Sequence, residues 1–172
     1  MYFYHLSEEP NITQFAPRVP DREDMDKSKP LVWAIDEISL PNYLVPRDCP
    51  RVTYRTNENT SQEDIARFFS GQSRHCVAIE HDWFGRMANT TLYLYAFDPT
   101  GFYLQDGCAG YYVSEQTQTP VAVTKIDDLF QELFKRDVEL RMLSNLWELS
   151  DAVIQSTLRY SNCRMRNAKP RA

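Results

Sequence analysis

Apolar positions along this chain fall into short runs cut apart by proline, glycine and charged residues. Runs of that length, continuous or alternating and bounded by chain breakers, are the mark of strands. YFYHL (2–6), LVWAI (31–35), RVTYR (51–55), CVAIE (76–80), LYLYAF (92–97), FYLQ (102–105), GYYVS (110–114) and PVAVTKI (120–126) all fit. LVWAI throughout and CVAIE as far as Glu80 are continuous apolar runs, as in strands covered on both faces, whereas RVTYR alternates and suits a sheet edge. Asp98-Pro99-Thr100-Gly101 has proline second and glycine fourth, the signature of a type I turn that reverses the chain. Residues 7–30 hold four prolines and dense charge without periodicity. They read as a loop tacked down by Ile12 and Phe15, with a mobile stretch from Asp21 to Lys29.

Helical spacing is confined to a few segments. NTSQEDIARFFSG has a cap at Thr60 or Ser61, acids in its first turn and Gly71 as its stop. DEISLPNYLVP and HDWFGRM are short helical turns, the first limited by Pro41 and Pro46. DDLFQELFKR sets Leu129, Phe130, Leu133 and Phe134 on one face, with acids first and bases last to suit the helix dipole. A last helix starts near Asn145, with Glu148 completing a capping box and Leu149, Val153, Ile154 and Leu158 as its buried stripe. These elements define an α+β fold with a mixed, mostly antiparallel core of about seven or eight short strands and peripheral helices; alternating βαβ order is missing.

Length and composition refine this picture. A chain of 172 residues fits a single domain: a β-rich core over 2–126, two helices over 127–164 and a basic tail over 165–172. Aromatics at 13 %, including ten tyrosines, suit half-buried positions and pocket walls. The net charge of −5 argues against broad binding to nucleic acid or anionic membrane. Arg164, Arg166, Lys169 and Arg171 run against that balance and read as a short solvated tail, with an anion or nucleic-acid contact as the alternative. The cysteines Cys49, Cys76, Cys108 and Cys163 show no C-x-x-C spacing, so neither zinc nor a thioredoxin-type motif is indicated. The opening MYFYHLSEEP meets charge and proline too early for a secretory leader, and no apolar stretch approaches the ~20 residues of a membrane span. Reduced thiols in the cytoplasm are the expectation.

Phosphate-cradling, dinucleotide, zinc-protease and serine-hydrolase motifs are all missing. What remains is a set dispersed over strands: His5 in FYHLS, Trp33 in VWAID, and Asp106 closing LYAFDPTGFYLQD. In that order these segments, followed by YYVSEQTQTPVAV, resemble the ADP-ribosyltransferase fold, most closely the rifamycin ADP-ribosyltransferases. That family carries an early HGT, a strand with a tyrosine, a Pro-x-Gly turn leading to a carboxylate, and a last strand running into Pro-Val. The resemblance covers most of residues 2–125, and its specific part is the carboxylate segment. Nearly the whole chain also resembles a family of bacterial proteins of unknown function, on HLSEEPNI, VWAID, LPNYLVPRDCPRV and AGYYVS.

The first resemblance implies an NAD-binding protein that transfers ADP-ribose to a small molecule, with His5, Trp33 and Asp106 as catalytic residues. Ser7, Arg18, Tyr43, Arg47, Tyr112 and Ser114 would then line the ribose and diphosphate, with a nucleotide as partner and no metal. Breaking the nicotinamide–ribose bond builds positive charge on the ribose, which a fixed carboxylate stabilises. An indole can stack on nicotinamide, and an imidazole can hold a ribose hydroxyl. The chain departs from the family where Leu6 follows His5, where Trp33 replaces tyrosine, and where no second acid lies two residues before Asp106. The alternatives are plainer: His5 and Trp33 as core residues, Asp106 as a turn former, and Arg47 with Arg51 flanking a surface loop. At the level of function they are a non-catalytic nucleotide- or peptide-binding module, NAD hydrolysis without an acceptor, and a protein-interaction domain using the basic tail.

Overall fold

The computed structural model describes residues 1–20 and 26–171. The chain forms two compact units, one of 1–40 and 92–126 and one of 41–91 and 127–172. The α+β expectation holds, with two mostly antiparallel sheets and few helices, but the described residues form ten strands.

The first unit is a six-stranded sheet. Its strands are β1 (Phe3–Ser7), β2 (Val32–Ile35), β5 (Leu92–Phe97), β6 (Tyr103–Asp106), β7 (Tyr111–Ser114) and β8 (Ala122–Ile126). They stand in the order β6-β7-β2-β1-β5-β8. Phe3, Ala34, Tyr95 and Phe97 make the core of one face, with Ile12, Phe15, Tyr93, Phe102 and Tyr112 packed against them. Phe15 meets the rings of Tyr95 and Phe97 edge-on at 5.1 and 5.0 Å. The loop that carries it is tied by backbone bonds from Phe15 to Gln118 and from Arg18 to Leu31. Ile12 and Phe15 therefore tack the loop down as expected. The stretch expected to be mobile lies outside the described residues over 21–25, and its remainder forms a turn in which Asp26 Oδ1 accepts from the Ser28 amide.

The Asp-Pro-Thr-Gly turn differs from the expectation in two ways. Its closing bond runs from the Phe102 amide to the Pro99 carbonyl, so Gly101 is third in the turn, at φ 83°, where a side chain would be strained. The strands it joins are also not neighbours: β1, β2 and β7 lie between β5 and β6. Gly110, at φ 72°, is needed for a second reason, since a Cβ there would come within 2.0 Å of Ser39 Oγ.

The second unit is a four-stranded sheet of β3 (Arg51–Arg55), β4 (His75–Glu80), β9 (Val138–Leu143) and β10 (Arg159–Cys163), in the order β10-β3-β4-β9. Two of these correct the sequence reading, which gave 127–164 to helices alone. VELRML carries charges at alternate positions, and RYSNC has a charge at its start and polar residues after it, which mask both as strands. VELRML is nevertheless drawn in by a six-residue parallel ladder on β4, from His75 with Val138 to Glu80 with Leu143. RVTYR is likewise no edge: β3 is flanked by β10 and β4 and is buried from Arg51 to Tyr54. Its alternation separates two covered faces. Val52 and Tyr54 join Phe68, Phe69, Cys76, Ala78, Leu146, Val153 and Leu158 in the core of one face, and Arg51 and Thr53 are buried on the other.

Helices α1 (Gln62–Phe68), α2 (Phe84–Asn89), α3 (Leu129–Phe134) and α4 (Trp147–Ile154) complete this unit. Ser61 caps α1 by accepting from the Asp64 amide, and Asp128 caps α3 through the Gln131 amide. The expected stripes are partly corrected, because Phe134 is 58 % and Ile154 50 % exposed while Leu133 and Val153 are buried. Both exposed residues stand in the last turn of helices shorter than their sequence pattern.

The basic tail is fastened to this unit, although Arg166 and Arg171 remain exposed. The Lys169 amide donates to Glu80 Oε1 at 3.0 Å, and Glu80 is only 2 % exposed. The Lys169 carbonyl accepts from Trp147 Nε1 at 2.7 Å, and Lys169 Nζ meets Asp82 at 2.7 Å. Arg171 makes a two-pronged pair with Asp151 and lies over the Trp147 ring at 4.3 Å. These contacts predict that truncation after Ala168 destabilises the protein by about 2–3 kcal/mol, because a buried carboxylate loses its amide donor. A urea-denaturation midpoint unchanged by that truncation would contradict the role assigned to the segment.

Candidate functional site

Side chains alternate across a pleated strand, and directly paired residues share a face. In the first unit β1 pairs with β5 from Phe3 with Phe97 through His5 with Tyr95 to Ser7 with Tyr93, so His5 and Ser7 belong to the aromatic-core face. Tyr112 and Ser114 are on that face too, because they pair with Ala34 and Val32. Tyr4 pairs with Ile35, which puts Ile35 and Trp33 on the opposite face. Tyr111 and Val113, paired with Ile35 and Trp33, join them there.

Asp106 reaches that second face through an irregularity. Leu104 pairs with Tyr112, but Asp106 pairs with Tyr111, so the register shifts between them and Gln105 is the extra residue of a bulge. Bulges of this kind re-aim a side chain. Here the bulge sets the carboxylate on the row that runs through Tyr111 and Ile35 to Tyr4. Trp33 meets Tyr111 edge-on at 5.4 Å, and Tyr4, Trp33, Tyr111 and Asp106 are all half-buried. An aromatic shelf bounded by one carboxylate is the result.

His5 is separated from this shelf by the sheet itself, yet it is joined to Trp33 through the backbone. The Trp33 carbonyl accepts from His5 Nδ1–H at 3.1 Å, and because a carbonyl can only accept, the bond places the proton on Nδ1. β1 and β2 share a single register pair, Tyr4 with Ile35, and the imidazole holds the chain of β2 just beyond it. The ring centres of His5 and Phe15 lie 4.9 Å apart. His5 thus supports the segment carrying Trp33 without facing the shelf.

Several other expected ligand groups have structural duties. Asp106 Oδ1 accepts from the amides of Cys108 at 2.8 Å and Ala109 at 3.1 Å, which closes the turn after β6. Ser7 Oγ accepts from the Glu9 amide, and the fully buried Ser114 Oγ accepts from the Gln116 amide and from Gln118 Nε2. Tyr112 stacks on Phe3 at 3.9 Å. Arg18 stands in the bridge to Leu31. Tyr43 and Arg47 belong to the second unit.

In that unit Tyr43 ends a short 3-10 turn, Leu40–Tyr43, with the Arg51 guanidinium 4.9 Å from the centre of its ring. Arg51 is buried, donating from Nε to the Asn42 carbonyl at 2.9 Å and from Nη1 to the Cys49 carbonyl at 3.1 Å. Arg51 is therefore no part of a surface loop: it ties the 42–49 segment to β3. Cys49 is no nucleophile, since burial pushes its thiol up to about 12. In the same unit His75 donates from Nε2 to Asn42 Oδ1 at 2.7 Å. Burial, and secondly the positive charge of Arg55, bring the imidazole down to about 4. No motif in the sequence marks His75, because its neighbours across the strands come from distant segments.

Two mostly antiparallel sheets, with an aromatic shelf and one bulge-directed carboxylate on the first, define an α+β protein whose chemistry must be argued from the site. The chain belongs to the family described as Family of unknown function (DUF6886), which it matches over residues 4–168. No curated protein and no solved structure matches the chain. Among the described residues no group of three or more His, Cys, Asp or Glu could hold a metal ion, and no helix is long and apolar enough to cross a membrane.

The His75 environment yields a pH prediction. An unfolded chain protonates this imidazole near 6.5 and the folded one near 4, so between those values the unfolded state binds the additional proton. Stability therefore falls as pH drops from about 6.5 to 4, by up to about 1.4 kcal/mol per unit from this group. His75→Gln keeps a donor for Asn42 and is expected to flatten that part of the stability profile, as read by urea midpoints at pH 7 and pH 5.

Proposed function

We propose that this protein binds NAD or a related nucleotide on the Trp33 face of its first sheet, in the manner of an ADP-ribosyltransferase-like fold. The observation that carries the reading is the β6 bulge, which sets Asp106 on the face that holds Trp33 and Tyr111. An indole edge-packed by a tyrosine is a rigid platform for a planar ring such as nicotinamide or adenine. A carboxylate on the neighbouring row suits ribose hydroxyls, which donate to it. Both turn amides converge on Oδ1 of Asp106, so a ligand hydroxyl would be held through Oδ2. His5 contributes by positioning, through its bond to the Trp33 carbonyl.

Transfer of ADP-ribose to a small molecule is the second reading. It is favoured by the same carboxylate, which would stabilise the positive charge of the breaking ribose bond. The binding module takes precedence because His5 faces the other side of the sheet and Asp106 already closes a turn.

Calorimetry with NAD, ADP-ribose and AMP tests the proposal. The wild-type chain is expected to bind at least one of them, and Trp33→Ala to weaken that binding about 5- to 150-fold, the range for loss of one stacked ring. No binding of any of the three ends the proposal. Nicotinamide release that is abolished by Asp106→Asn, with NAD binding retained, would promote the transferase reading over the module.

A further inference from the structure

The face of the first sheet that holds Trp33 extends beyond the shelf, to the edge strand β6. Tyr103 pairs with Val113, and Val113 pairs with Trp33, so these three form one transverse row. The row beside it runs from Asp106 through Tyr111 and Ile35 to Tyr4. Val113 therefore stands between the rings of Trp33 and Tyr103, and Ile35 between those of Tyr4 and Tyr111. Both aliphatic residues are buried, whereas Trp33 is half-buried and Tyr103 is 45 % exposed. Neighbouring strands are about 5 Å apart, which sets the Trp33 and Tyr103 backbones about 10 Å from one another.

The charge on this face has one sign. Across the six strands, no position on it carries Lys, Arg or His. The basic strand residues His5 and Lys125 pair with Tyr95 and Tyr93 and so belong to the opposite face. Two carboxylates border the rings. Asp106 ends the second row, and its Oδ1 accepts from two turn amides. Glu115 directly follows β7, where alternation from Val113 brings it to the same face, and its Oε1 accepts from the Tyr103 hydroxyl at 3.2 Å. All of these donors are neutral, and neither acid forms an ion pair among the described residues. Aromatic rings present a negative face, so rings and carboxylates attract the same partner, a positive charge. A phosphate here would meet two carboxylates and no cation from the strands.

We propose that the Trp33–Tyr103 face binds a small organic cation whose charge sits on an alkylated nitrogen, as in a pyridinium or a quaternary ammonium group. Such a nitrogen has no N–H to satisfy and holds its water weakly, so it can lie against aromatic rings at little desolvation cost. Asp106 and Glu115 add attraction from the two ends of the ring patch without having to accept a hydrogen bond from the ligand. The charge is carried equally by a free cation and by the oxidised nicotinamide ring of NAD. The inference rests on the shelf of the nucleotide reading but does not require the ligand to carry a phosphate. Where the ligand is a nucleotide, its pyridinium lies against the rings and its phosphates point away from the two acids.

The test is calorimetry of the full chain with 1-methylnicotinamide, neutral nicotinamide, choline, NAD and NADH. At least one alkylated cation is expected to bind saturably, with 1-methylnicotinamide about tenfold or more tighter than nicotinamide and weakened by added salt. Trp33→Ala and Tyr103→Ala are each expected to weaken cation binding by about 3- to 30-fold. Tyr103 is exposed on an edge strand, so its variant serves should Trp33→Ala fold poorly. Asp106→Asn and Glu115→Gln keep an oxygen for the turn amides and for the Tyr103 hydroxyl, and are expected to narrow the preference for the cation over nicotinamide. Binding of 1-methylnicotinamide or choline without NAD assigns the site to free cations and ends the nucleotide reading alone. Binding of NAD with a clear preference over NADH assigns it to the pyridinium of a nucleotide. Equal affinity for NAD and NADH with no binding of the free cations overturns this proposal and leaves the nucleotide reading standing. Absence of all binding, or cation affinity unmoved by both Tyr103→Ala and Glu115→Gln, overturns it as well.

Discussion

Period-two alternation, locked by hydrogen-bonded register, is the constraint on which the rest of this molecule depends. Once Tyr4 stands opposite Ile35, every other residue of β1 and β2 is assigned to a face, and so are the residues of β7 and β6 paired beyond them. The same rule in the second sheet brings Arg159, Arg55 and His75 into a single row. It is broken once, at Gln105, and the break moves a carboxylate from one face to the other. The candidate site is a consequence of pairing geometry and not of any contiguous motif.

Burying polar groups is costly unless their bonds are met, and the second unit shows how the chain meets them. Arg51 is 5 % exposed and donates to two backbone carbonyls, while Tyr43 covers its charge. Glu80 is closed off by the Lys169 amide, and His75 stays neutral against Asn42. The partners of Glu80 and His75 come from segments distant in sequence, whereas those of Arg51 lie in the segment just before β3, and together these bonds satisfy the polar groups and fasten the chain around β3 and β4. The residues after Arg164 are held for the same reason. Their cations find Asp82 and Asp151, and their backbone supplies donors and acceptors to Glu80 and Trp147.

Much of the local structure was legible in the residues themselves. Strands over 3–7, 32–35, 75–80 and 92–97 and the capped helices starting at Gln62 and Leu129 stand where apolar runs, Ser61 and Asp128 foretell them. β9 and β10 were not legible, because Glu139, Arg141 and Arg159 put charge into their alternation, and pairing with β4 and β3 rescues them. In the candidate site Trp33 and Asp106 were marked by residue type and order. That they share a face depends on a bulge that has no signature in FYLQDG, and that His5 lies on the other face is set by the pairing of β1 with β5 and β2.

The sequence alone determined this protein's secondary elements where local patterning is strong, its α+β class, and the residue types available for chemistry. Hydrophobic periodicity and capping act within a few residues, so they are complete in a short stretch of chain. Tertiary structure alone decided which strands are neighbours, that three strands separate β6 from β5, and which side chains meet across a sheet. Those outcomes are set by the register of ladders between distant segments, where a shift of one residue sends a side chain to the opposite face.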